Sequence, residues 1–117
     1  MKLLINDNIF KCKVCSTPES VKEGMMNKTF DGFDCMVFLM EQKTNQNFWM
    51  YNCIVPLDIA MVNDNVITSV NHFCPPCEVK NECDTYDGYG NIVLEFLGGT
   101  CNELNIKEGD KIKLSFF

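Results

Sequence analysis

Apolar and polar residues in this chain change places over short distances, as they do in strands. Residues 2–11 alternate. Leu3, Ile5 and Ile9 are expected on one side of a first strand, Leu4 and Phe10 on the other, with a turn available at Asn6-Asp7-Asn8. Residues 35–40 form a continuous apolar run, which predicts a strand buried on both faces. The polar run 41–47 reads as a hairpin connection into strands at 48–51 and 54–62, broken around Asn52 and Pro56. Asn63-Asp64-Asn65 is a hairpin turn, and residues 66–73 are the returning strand. Residues 74–89 read as a loop, 90–97 as a strand, and the end of the chain as a last strand with Ile112, Leu114 and Phe116 inward.

Two helices interrupt the strands. Ser16-Thr17-Pro18-Glu19 is a helix start. Thr17 or Ser16 can cap free N–H groups, Pro18 fits the first helical position, and Glu19 suits the positive end of the dipole. Gly24 lies near its end, with Met25 and Met26 expected in the core. Gly98-Gly99-Thr100 caps a second short helix at about 101–104. With no repeat, linker or heptad, the pattern predicts a mostly β domain over residues 1–117: about seven strands and two short helices in an antiparallel β-sandwich or barrel.

Composition narrows the function classes. A chain of 117 residues, 46% apolar, can bury one core without a metal or disulfide. The net charge is −6, all the positive charge is Lys, and the Lys residues form no stripe, which argues against nucleic acid as a direct partner. The absence of Arg fits an AT-rich genome such as a phage's. No apolar run is long enough for a bilayer, and the opening Leu3-Leu4-Ile5 is too short for a signal peptide core. A soluble protein of a bacterial or phage-infected cytoplasm, or of a virion, is expected, without membrane contact.

The chemistry-bearing residues are few. Asp58 lies in an apolar strand and is expected to be partly buried, as a cap for backbone N–H groups freed at Pro56 or as a ligand-binding carboxylate. Glu95, between Val93-Leu94 and Phe96-Leu97, is a second half-buried acid. Asn52 can satisfy irregular backbone; if it shares a pocket with Asp58 and Trp49, the set could bind a small polar ligand such as a sugar. Cys12, Cys15, Cys74 and Cys77 form two Cys-x-x-Cys pairs that could hold a structural zinc, although they stand far apart in sequence. His72 is the only His, so mechanisms needing two are excluded, and it is expected to partner a carboxylate such as Asp58 or Glu95. Phe116 and Phe117 could dock a partner protein or a second subunit.

Several motifs, taken in order, resemble the family called domain of unknown function 192. They are Thr17-Pro18-Glu19 with Gly24-Met25-Met26, Met36-Val37-Phe38, Phe48-Trp49-Met50-Tyr51-Asn52, Pro56-Leu57-Asp58, Val93-Leu94-Glu95, Gly98-Gly99 and Gly109-Asp110. Pro75-Pro76-Cys77, Cys83 and Tyr86 resemble a loop of cyanobacterial members, which implies a Cys77–Cys83 disulfide or two facing thiols and makes Tyr86 a candidate partner contact. Val21, Cys35 and Cys53 depart from the family's Arg, Gly and Thr. The resemblance implies a compact, mostly β fold and no particular chemistry. With no complete catalytic set, a non-enzymatic binding or structural module is expected, with a protein partner or homo-oligomer and no cofactor. A phage-encoded or virion-associated accessory is the specific form. The alternatives are a zinc-stabilised domain, or a small-ligand or hydrolytic domain using Asp58, Asn52 and Trp49.

Overall fold

The structure is a computed structural model that describes residues 1–116; Phe117, one of the two terminal aromatics, lies outside the described residues. Seven strands form one sheet: β1 (Lys2–Ile5), β2 (Asn8–Cys15), β3 (Cys35–Trp49), β4 (Leu57–Asn63), β5 (Val66–Cys74), β6 (Thr85–Leu97) and β7 (Ile112–Ser115). Their order across the sheet is β5-β4-β6-β3-β2-β1-β7. All neighbours are antiparallel except β2 and β3. That parallel pair corrects the expected all-antiparallel arrangement. Parallel strands need a crossover, and residues 16–34 supply one, including helix α1 (Pro18–Glu23).

The sheet curls into a half-barrel rather than splitting into two layers. Val66, at the start of β5, bridges Lys111, just before β7. Ile67 N–H donates to Asp110 O at 2.9 Å, and Ile112 N–H to Asn65 O at 2.8 Å. The outermost strands therefore touch at one end. Two clusters fill the faces. The first holds Leu3, Phe10, Val37, Ala60, Leu94 and Phe96, with Cys101 from the second helix, α2 (Thr100–Glu103). The second holds Met25, Met36, Phe38, Met50, Ile59 and Val93. The central strands are buried on both sides, which is why residues 35–40 read as an unbroken apolar run.

Local chemistry sets several boundaries. Thr17 Oγ1 accepts from Ser20 N–H at 3.1 Å while Ser20 Oγ accepts from Thr17 N–H at 3.0 Å, a reciprocal cap that starts α1. Asp64 and Asn65 both have positive φ (51° and 63°), which Asn and Asp tolerate and a two-residue hairpin of this twist requires. The turn at Asn6-Asp7 splits residues 2–11 into a hairpin and resets the alternation. Leu3 pairs with Phe10 and both are buried, whereas Ile9 is exposed.

Residues 41–47 are not a connection. β3 runs on through a register shift between Leu39 and Thr44 and pairs with β6 as far as Trp49 and Thr85. These outer halves form an arm with mainly polar side chains. Buried Gln46 holds it, its Nε2 donating to Gln42 O at 2.8 Å and Gly90 O at 2.9 Å. A Cβ on Gly90 would collide with the Val62 carbonyl, so only glycine lets β6 pass β4 here. The arm carries Phe48 and Trp49 to the edge of the second cluster.

Candidate functional site

Alternation along β6 decides where its acid points. Leu94 and Phe96 enter the first cluster and Val93 the second, so Glu95 projects on the second side, opposite Met36 of β3 and Ile59 of β4. There the end of α1 comes down on the sheet. Gly24, at φ 45°, lies so close to the Phe38 ring that an added Cβ would stand 3.2 Å from it. Between α1, the outer end of β3 and this part of the sheet lies a pocket of about 180 Å³. Met25, Met40, Phe48, Trp49 and Cys53 line it, and Glu95 is the carboxylate buried in it. Glu95 is 3% exposed.

The electrostatics of this carboxylate are simple. Burial pushes the Glu95 carboxyl up to about 8, with no hydrogen-bond donor and no cation among the described residues acting against it. Lys28 and Glu23, near the end of α1, pair with each other at 3.2 Å. Burial also pushes the Cys53 thiol up to about 12, with the Glu95 charge adding to it, so Cys53 stays protonated at neutral pH. The aromatic wall is ordered by its own contacts. The Trp49 ring lies 5.2 Å from that of Tyr51, and Lys80 Nζ stands 5.9 Å from the Trp49 centroid. Phe48 packs edge-on to Phe38 at 4.9 Å.

Asp58 sits elsewhere. It is fully buried and accepts backbone N–H groups at three positions: Phe73 at 2.8 Å, Cys101 at 2.8 Å, and Gly99 at 3.1 and 3.2 Å. It therefore caps the start of α2 from across the fold and holds Phe73, whose φ is 48°. The donors are not at the Pro56 break; Pro56 O instead accepts from Gly98 N–H at 2.8 Å. Asp58 and Glu95 stand on opposite faces of the sheet, since Asp58 pairs with Phe96 and Ile59 with Glu95. The two acids do not converge.

The other predicted residues also separate. Asn52, at φ 60°, makes a left-handed turn whose N–H donates to Cys77 O at 3.0 Å and whose carbonyl accepts from Asn27 N–H at 2.8 Å. It does not line the pocket, so of Trp49, Asn52, Asp58 and Glu95 the structure brings together only Trp49 and Glu95. Cys77 and Cys83 are joined in a disulfide, which removes Cys77 from the Cys12, Cys15, Cys74 and Cys77 set. Cys74 is buried beside Asn71 O, and Cys12 pairs across β2 and β3 with Cys35, whose hydrogen bond holds the Cys12 thiol below its ordinary value. Among the described residues, no group of three or more His, Cys, Asp or Glu is placed to hold a metal ion.

His72 is exposed and partners neither acid; the N–H of its neighbour Phe73 goes to Asp58 instead. Tyr86 is half-buried against the second cluster, opposite Phe48, and Phe116 is exposed. Sequence reasoning found Glu95 and Trp49 but missed Met25, Met40, Phe48 and Cys53 as walls. Their only signal was apolar character. What makes them a wall is the descent of α1 onto β3, which neighbouring residues do not encode.

The sequence matches the DUF192 family, described as "Uncharacterized ACR", over residues 1–114. No curated protein matches it. Among solved structures, a protein of unknown function from Novosphingobium aromaticivorans DSM 12444 is similar at 28% identity and a TM-score of 0.84, over 97% of this chain and 84% of that one. A protein provisionally described as a transcription regulator, from Sinorhizobium meliloti 1021, is 20% identical with a TM-score of 0.83, over 96% and 89% of the two chains. The second likeness bears on fold alone. Among the described residues, no helix is long and apolar enough to cross a membrane.

Proposed function

We propose that this chain, which belongs to the DUF192 family, is a non-enzymatic binding module whose ligand site is the Glu95 pocket. The observation that carries the reading is a buried carboxylate, unpartnered among the described residues, in a mostly apolar pocket beside the one Trp of the chain. Cavities of this kind, apolar with few polar groups, are the usual form of a small-ligand site. Binding is preferred over catalysis because no activated nucleophile accompanies the acid: the Cys53 thiol in the wall is held protonated.

The test uses Trp49 fluorescence and the NMR signals of the Met25 and Met40 methyl groups. Small fragments of one shape and different charge are titrated in: n-butanol, butyrate and n-butylammonium. At least one is expected to shift these signals saturably. If none does, the pocket is not a binding site.

A second reading, docking of a protein partner or another copy, is favoured by the exposed apolar side chains of Phe73, Leu97 and Phe116. In its specific form the partner is a component of a phage particle, in keeping with the Arg-free composition. Native mass spectrometry is then expected to find a stable assembly; a monomer at micromolar concentration would exclude self-association.

A further inference from the structure

A carboxylate taken out of water must gain a proton, a hydrogen-bond donor or a cation, or remain at a cost of several kcal/mol. Among the described residues, no donor or cation reaches Glu95, which is buried in the pocket wall. Its surroundings suit one kind of visitor. Met25, Met40, Phe48 and Trp49 line the pocket and offer apolar surface to a carbon body, while Glu95 offers a negative charge. A net charge of −6 raises the local concentration of cations and lowers that of anions. A metal ion would need more ligands than one carboxylate, and the described residues group none.

Size sets the other limit. A cavity of about 150 Å³ admits a molecule such as benzene. A pocket of about 180 Å³ therefore suits a ligand on the order of five to seven non-hydrogen atoms. Lys22 and Glu23, which also line the pocket, are both exposed, so the charge that a bound group would meet out of water is that of Glu95.

We propose that the Glu95 pocket takes a small alkylammonium ion, with its charged end on the Glu95 carboxylate and its carbon body against Met25, Met40, Phe48 and Trp49. The assignment rests on the binding function proposed above and narrows it to one class of ligand. It adds no covalent step: the ion replaces the proton that otherwise neutralises the acid.

The deciding experiment compares n-butylammonium with n-butanol, its neutral counterpart of equal length, by Trp49 fluorescence at neutral pH. The measurement is made on the wild-type chain and on Glu95→Gln. Trp49 is the only Trp, so the signal reports this site. In the wild type the ammonium ion is expected to bind at least about tenfold more tightly than the alcohol, a modest gain for a charge-assisted contact. In Glu95→Gln the preference disappears while the alcohol binds as before, which also shows that the variant pocket is intact. Equal affinity for the two probes in the wild type overturns the alkylammonium assignment and leaves the pocket as a neutral-ligand site. A preference that survives Glu95→Gln removes Glu95 from it. No response to any probe overturns both this assignment and the binding function beneath it.

Discussion

Asp58→Ala is expected to lower the unfolding free energy by roughly 3–5 kcal/mol, the summed cost of leaving several buried backbone N–H groups without their acceptor. The carboxylate accepts backbone N–H groups from Phe73, Gly99 and Cys101, and the residue is fully buried. Without it, each buried donor among them loses its acceptor, at about 1–3 kcal/mol apiece. Asp58→Asn tests the chemistry separately from the volume. It keeps the shape, but its NH2 group must face donors, so it too is expected to be destabilised by more than about 1 kcal/mol. Domains of this kind are stable by roughly 5–15 kcal/mol, so the Ala variant uses up a large share of the margin. Urea unfolding measures both. If both variants unfold at the wild-type midpoint, the start of α2 is held by something other than Asp58.

Glu95→Gln is expected to do the opposite and stabilise the protein at neutral and alkaline pH. The folded-state carboxyl is held up at about 8, whereas in an unfolded chain it titrates near 4.3. Between those values the folded state binds the extra proton, so wild-type stability falls as pH rises from about 4.5 to about 8. The loss, on the order of a few kcal/mol, is complete above that range. Gln carries no charge, has nearly the shape of the neutral acid and does not titrate. The difference between variant and wild type is thus near zero at about pH 4, grows through neutrality and levels off near pH 9. Thermal unfolding at several pH values follows this directly. A difference that stays flat with pH would mean that the wild-type carboxylate is not desolvated.

The parts of the fold that show in the sequence are those whose causes are local. The Thr17–Ser20 cap, the Asp64-Asn65 turn and the doubly buried runs at 35–40 and 57–62 each carry their signal in a few adjacent residues. The arm of β3 and β6 does not. Residues 41–47 are mainly exposed and polar, and they are strand because β6 lies beside them, about 45 residues further along the chain. The parallel β2–β3 pair is equally hidden, since alternation is the same in either strand direction. For the site, that Asp58 and Glu95 would be at least partly buried followed from the apolar residues around them; both are in fact almost fully buried. Which one is tied down and which is left open did not follow. Two of the donors to Asp58 lie at Gly99 and Cys101, and the opposite faces of the two acids depend on the register of β4 against β6.

The position of β6 between β3 and β4 also matters while the chain is being made. Both of its neighbours leave the ribosome before it does. Until residues 85–97 emerge, β3 and β4 each keep a bare row of peptide groups along the apolar runs 35–40 and 57–62, the arrangement most open to pairing with another nascent chain. β1 waits longer still, because one of its partners is β7 at residues 112–115. The half-barrel is thus a late product of synthesis, and the interval before its middle strand arrives is when a chaperone would have most to cover.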